Sequence, residues 1–192
     1  MINSSSKIFL ASKSPRRRKL LTQLNLKFKS FSVDMDEKIY KNEIPSRAVV
    51  RLSKEKLDLA KEKVQDGIII TADTIVVLNK MILGKPESKK DAYRILRLLS
   101  GKTHTVYTGY SIYNSANNRT ITEYEKTKVT FRMLTDDEIE EYIQGGSPMD
   151  KAGAYGIQDD FGAVFIQKIN GCYYNVVGLP LAKFYHALLK VM

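Results

Sequence analysis

IFLASKSPRRRKLL, residues 8–21, reads as a short apolar strand, a tight Ser/Pro turn and a helix that opens on a cluster of bases. Ser14 is placed to cap the helix, and Pro15 fits its first position, where a missing N–H costs nothing. Arg16, Arg17, Arg18 and Lys19 follow at once. The free N–H groups and the dipole of a helix N-terminus favour negative charge. Bases there work against the helix itself and suit an anion bound beside it, a phosphate in the first instance. A solvated basic turn is the other reading of the same residues. Outward from this unit strands and helices keep alternating, which puts the chain in the α/β or α+β class.

The helix over about 15–25 carries Leu20, Leu21 and Leu24 on one face, and an extended segment follows at 28–34. A second helix runs from near Ser46 to Val64. The continuous apolar run Ile68–Leu78 reads as a central strand buried on both faces. Ser88 caps a helix to about Leu99, and two longer strands near 103–113 and 120–133 are joined by the polar segment Asn114–Arg119. Thr135 and Glu138 form a capping box for a helix that ends at Gly145-Gly146, and a Gly-rich loop spans 145–156. Asn170-Gly171 predicts a hairpin between strands Phe161–Ile169 and Cys172–Val177. Pro180 opens a last helix.

With 192 residues, 43% of them hydrophobic, the chain can bury a core as one domain or as two small lobes. No run approaches the roughly 18 apolar residues of a membrane span, and MINSSSKIFLAS has too little apolar length for a signal peptide. A lone cysteine, Cys172, excludes an internal disulfide and fits a reducing compartment, so a cytoplasmic protein is expected. His104 and His186, far apart, argue against a zinc site or a Cys/His dyad. The net charge of +10 is uneven: residues 1–63 carry 16 Lys/Arg against 7 Asp/Glu, and residues 64–192 carry 15 against 14. That asymmetry points to an anionic partner, nucleic acid or a nucleotide polyphosphate, met mainly by the N-terminal third.

Asp73, inside Ile68–Leu78, is the first candidate for chemistry. A carboxylate in a buried apolar strand costs several kcal/mol unless it is paired or metal-bound. Its position therefore suggests a cation ligand or a proton acceptor, against the alternative of a strand-end acid facing water. Asp34, Asp36 and Glu37 cluster in a loop and can join it, since Mg²⁺ is commonly held by one or two carboxylates plus phosphate oxygens and water. Lys56 falls on the apolar stripe Val49, Leu52, Leu59 and Ala60 of the second helix, where it either snorkels outward or meets an internal anion. Lys54 and Lys61 lie off that face. Gly84-Lys85-Pro86 holds a positive charge near a rigid turn, and no P-loop occurs anywhere. In Asp150–Gln158 small residues and glycines let the backbone approach a ligand, Lys151 adds charge, and Gln158 offers the donor and acceptor needed to read a pyrimidine edge. A dinucleotide fingerprint is absent.

In order, ASKSPRRRKLL, VDMDE, VVRLSKEK, TADTIVVL, GKP, LSGKTHTVYTG, GSPMDKAGAYGIQ and INGCYYNVVGLPL resemble the Maf family of nucleoside triphosphate pyrophosphatases, over Ile8 to about Leu181. The resemblance implies an elongated, curved mixed sheet with flanking helices, as two lobes around a nucleotide cleft, related to the inosine-triphosphatase architecture. It implies hydrolysis of a nucleoside triphosphate to the monophosphate and pyrophosphate with a divalent cation, Mg²⁺ or Mn²⁺. Residue by residue, Asp73 becomes the catalytic acid/base and metal-organising group and Glu37 the second metal carboxylate. Ser12, Arg16, Arg17, Lys56, Lys85 and Lys151 become substrate contacts, and Arg17, Thr74 and Gln158 match positions tied to base selectivity. SPRR together with AGAYGIQ resembles the dTTP/UTP branch. The branch acting on 7-methyl-GTP typically has Trp at the first Arg of SPRR and a Glu-containing segment where Gln158 stands. Lys13 stands where the family often has Gly, and Arg18 extends the basic cluster.

The mechanism this implies has Arg16, Lys56 and Lys85 clamping the triphosphate while Asp73 activates a water that attacks the α-phosphorus. A homodimer fits the resemblance, and neither a membrane nor a stable nucleic-acid complex is expected. The rival is a nucleic-acid-binding or cell-division (septum) regulator on the same fold, supported by the basic N-terminal third and opposed by the scatter of Tyr and Phe, which builds no stacking platform. A kinase-type phosphotransferase is disfavoured by the missing P-loop.

Overall fold

The computed structural model describes residues 6–146, 148–158 and 161–192. Residues 1–5 of MINSSSKIFLAS, and Ser147 of the Gly-rich loop, lie outside them. Seven strands form one sheet: β1 (Ile8–Ala11), β2 (Phe28–Phe31), β3 (Ile68–Leu78), β4 (Met81–Leu83), β5 (Thr103–Asn114), β6 (Arg119–Phe131) and β7 (Ile166–Asn170). Their order is β2-β1-β3-β5-β6-β7, with β4 paired to β3. β1 runs parallel to β2 and β3, whereas β3–β4 and β6–β7 are antiparallel, so the sheet is mixed. Among the described residues six α-helices accompany it: α1 (Pro15–Gln23), α2 (Pro45–Lys63), α3 (Lys89–Leu99), α4 (Asp136–Gln144), α5 (Tyr173–Val177) and α6 (Leu181–Val191). Among the described residues no helix is long and apolar enough to cross a membrane.

The chain divides into two compact units. The first takes the chain up to Asp73, then Thr108–Glu125 and Gly178–Met192; the second takes Thr74–Tyr107 and Lys126–Val177. The chain therefore changes unit within β3, β5 and β6, and again after α5. In the first, Ala11, Leu57, Ala60 and Ile69 form an apolar cluster between α2 and the parallel strands. α2 lies close on β5 because Gly109 has no side chain, and any Cβ there would run into the Val49 carbonyl. In the second, α3 buries Ala92, Ile95, Leu96 and Leu99, the spacing of one helical face, into a core shared with Val76, Phe131 and Phe165.

The local signals hold. The Ser14 hydroxyl accepts from Arg17 N at 3.4 Å with Pro15 at the first position, Ser88 accepts from Asp91 N at 3.1 Å, and the Thr135–Glu138 box closes reciprocally. Two expectations fail. On α2 the buried leucines are Leu52 and Leu57, with Leu59 only half-buried. Asn170-Gly171 does not turn a hairpin: Phe161–Phe165 is a 3-10 turn, β7 pairs with β6, and Tyr173–Val177 is helical. Gly171 serves a close approach instead. Its φ is +130°, and a Cβ would stand 2.9 Å from the Thr127 hydroxyl. That oxygen accepts from Cys172 N at 3.1 Å, fixing the start of α5.

Candidate active site

The turn from β1 into α1 is organised by Ser12, whose hydroxyl accepts from Ser14 N at 3.2 Å and from Arg17 Nη1 at 3.3 Å. Arg17 points inward. It is 9% exposed, and its Nε donates to the Gly178 carbonyl at 2.9 Å. Burial pulls its pKa below the ordinary arginine value, opposed by the attraction of Asp73 and Glu37 and assisted by the like charge of Arg16. The four-base cluster is therefore divided. Arg17 is buried within reach of the acids' charges and Arg16 is half-buried, whereas Arg18 and Lys19 are exposed, Arg18 donating to the Lys13 carbonyl at 3.3 Å. Lys13 is exposed too, and pairs with Asp34 at 2.9 Å.

Thr71 and Asp73 share one face of β3, two residues apart. Ser53 and Lys56 lie one turn apart on α2. The two elements are tied twice: Thr71 Oγ1 donates to the Ser53 carbonyl at 2.7 Å, and the Lys56 ammonium donates to Asp73 Oδ1. The same ammonium donates to Glu37 Oε1 at 2.6 Å. Asp73 is 5% and Lys56 7% exposed, so the lysine does not snorkel; it meets internal anions, joining two carboxylates. Asp73 is thereby the paired, buried acid that an apolar strand tolerates. Glu37 of the 34–37 segment reaches this pair, whereas Asp34 takes Lys13.

Sequence reasoning missed what places Glu37. Arg51 on α2 grips Glu43 through two bonds of 2.8 and 2.7 Å, bonds Glu55 at 3.0 Å, and donates to the Lys38 carbonyl at 3.0 Å. Its guanidinium also lies 4.5 Å from the Tyr40 ring centre. The segment leading out of β2 is thus pinned to α2 just after Glu37. A bidentate Arg–carboxylate pair is geometrically demanding, but in sequence Arg51 and Glu55 read only as an ordinary i,i+4 surface pair.

Thr74 follows Asp73 in β3 and opens the second unit. There, Gly84 O accepts from Gly153 N at 3.0 Å, which brings the segments carrying Lys85 and Lys151 side by side. Lys85 is exposed; Lys151 is largely covered and pairs with Asp150 at 3.3 Å. Gly153 and Ala154 both adopt left-handed backbone, at φ +73° and +61°. A Cβ on Gly153 would meet Val76 Cγ2 at 2.9 Å. Gly156 N donates to the Tyr142 hydroxyl at 3.2 Å, and half-buried Gln158 ends the loop. Ser12, Arg16, Arg17, Glu37, Lys56 and Asp73 thus fall in the first unit, and Thr74, Lys85, Lys151 and Gln158 in the second.

In the sequence His104, in β5, counts only against a zinc site or a Cys/His dyad. It is 1% exposed and its Nε2 lies 2.7 Å from the Tyr155 hydroxyl. Burial pushes its pKa down to about 4. The unfolded chain, with an ordinary histidine near 6.5, binds the extra proton between those values, so this group's contribution is complete above pH ~6.5 and lost as pH falls towards 4. We expect urea midpoints to record a loss of about 3 kcal/mol over that window from His104. In His104→Gln this component should vanish; an unchanged acid-side slope would show that another group carries it.

The family model for Maf-like proteins matches residues 7–191. A dTTP/UTP pyrophosphatase of Carboxydothermus hydrogenoformans is 45% identical over 95% of this chain and 97% of its own. A dTTP/UTP pyrophosphatase of Clostridium tetani is 48% identical over 95% of this chain and 96% of its own. Among solved structures, a HAM1 protein from Coxiella burnetii shares the fold with a TM-score of 0.55 at 13% identity, covering 96% of this chain and 99% of that one. The motif order, the mixed sheet and these matches agree, and the chain belongs to the Maf family.

Proposed function

We propose that this protein hydrolyses dTTP and UTP to the monophosphate and pyrophosphate, clearing the nucleotide pool. The observation that carries the reading is the buried Asp73 held beside Glu37 by Lys56, with Arg17 adjoining: an acid that can take a proton, among cations that suit a polyphosphate. Full-length relatives named for that activity support it.

The donor set fits a hard divalent cation. Asp73 and Glu37 each turn a hard carboxylate oxygen to one cationic position, held here by the Lys56 ammonium, and among the described residues no larger cluster of His, Cys, Asp and Glu could form an all-protein cage. That suits Mg²⁺ or Mn²⁺ held by one or two carboxylates together with phosphate oxygens and water. When bound it would neutralise charge developing on the phosphate oxygens. Arg16, Arg17, Lys56, Lys85 and Lys151 grip the polyphosphate, with Ser12 setting the Arg17 side chain. Asp73 accepts the proton of a water whose oxygen bonds to the α-phosphorus as the bond to the bridging oxygen breaks, and pyrophosphate departs. Thr74 and Gln158 face the base. In this reading the nucleotide is the anionic partner of the basic N-terminal third.

The test is a panel of dTTP, UTP, CTP, GTP and ATP with Mg²⁺ or Mn²⁺, products resolved by ³¹P NMR. Pyrophosphate, fastest from dTTP and UTP, is expected, and EDTA should lower the rate by roughly 100-fold, the scale of a lost metal contribution. Release of orthophosphate, or an indifferent base preference, would overturn the reading.

A further inference from the structure

LSGKTHTVYTG contributes no residue to the chemistry above, yet its histidine lies in the core of the second unit. His104 packs edge-on against Phe131 with ring centres 5.1 Å apart, and against Tyr155 at 5.3 Å. One ring nitrogen meets the Tyr155 hydroxyl; the other, Nδ1, is buried without a hydrogen-bond partner. An orphaned buried polar atom is destabilising, whereas replacing both members of a buried hydrogen bond by apolar groups of the same shape is near neutral or stabilising. Stability alone would therefore favour phenylalanine at both positions. The histidine makes sense if the hydrogen bond places something.

What it places is legible along the chain. Tyr155 directly follows the left-handed pair Gly153–Ala154, and alanine in that region carries strain that its surroundings must hold. The loop is anchored by Gly153 N on Gly84 O, Gly156 N on the Tyr142 hydroxyl, and the Tyr155 hydroxyl on His104. Lys151 lies on one side of the strained pair and Gln158 on the other. We propose that His104 is a positioning residue for the nucleotide: by holding Tyr155 it fixes the 151–158 loop and so sets where Lys151 and Gln158 meet the substrate. The inference rests on the assignment of those two residues to the nucleotide.

The test compares wild type with His104→Phe, Tyr155→Phe, the double variant, His104→Gln and, as a separate control, Gln158→Ala. Pyrophosphate release from UTP and CTP gives KM and kcat, urea gives stability, and hydrogen exchange reports the amides of residues 153–156. Each Phe variant is expected to raise KM for UTP about tenfold, the scale of one hydrogen bond, with kcat within about threefold. The UTP-over-CTP preference should narrow and loop exchange should rise. The double variant should be no worse than either single one, because both remove the same bond, and should be at least as stable as wild type. His104→Gln, whose amide can still meet the hydroxyl, should restore KM and exchange. Unchanged exchange in His104→Phe overturns the proposal whatever Gln158→Ala does. So does unchanged KM and base preference in His104→Phe when Gln158→Ala shifts them. An unshifted Gln158→Ala beside faster exchange in His104→Phe instead withdraws base reading from Gln158 and keeps the loop-positioning role.

Discussion

Asp73→Asn should lower kcat for pyrophosphate release from UTP by at least ~100-fold, the usual scale for a lost acid/base group. Asparagine keeps the shape and one oxygen for Lys56 but cannot take the proton of the attacking water. The fold should survive, because Lys56 still donates to Glu37 and β3 is still tied to α2 through Thr71 and Ser53. A urea midpoint measured beside the rate separates lost chemistry from lost structure. Turnover close to wild type in a folded variant would remove Asp73 from the reaction.

Lys56→Met is expected to act first on stability. Methionine fills a similar stem but leaves Asp73 buried with no ammonium, and breaking one side of a buried pair costs about 3–5 kcal/mol. That is a large share of the 5–15 kcal/mol typical of a domain. Combining Lys56→Met with Asp73→Asn removes the stranded charge as well, so the double variant should be more stable than Lys56→Met alone, a non-additivity expected of residues in contact. Urea denaturation of the four proteins closes the cycle. A Lys56→Met loss under ~1 kcal/mol, the range of solvent-exposed pairs, would mean that water reaches the pair and that Asp73 is not the desolvated acid the geometry describes.

Much of this arrangement is written locally. β3 was readable because eleven nearly unbroken apolar positions admit one interpretation, and Asp73 stood out because it violates them. Caps were readable because Ser14, Ser88 and Thr135 bond residues three positions on. Lys56 could be placed on the buried face of α2 by spacing, but the identity of its partners could not, since Glu37 and Asp73 lie on other segments. Asn170-Gly171 misled for the same reason. The dipeptide permits a turn, and only the Thr127 side chain, far back along the chain, shows that glycine is there for clearance. Tyr173–Val177 has strand-like composition and becomes one helical turn because Asn175 is fixed by bonds to Val106 O at 3.1 Å and Thr127 Oγ1 at 3.0 Å. Arg51 and His104 were missed because their roles are to place other groups, and such roles leave no spacing pattern.

The bond from Arg17 to the Gly178 carbonyl joins residues 161 positions apart. During synthesis the arginine emerges early, but the oxygen that orients it is not made until 161 residues later. A chain cut short before Gly178 thus lacks this anchor for the guanidinium, and the alignment of Arg17 arrives only with that residue.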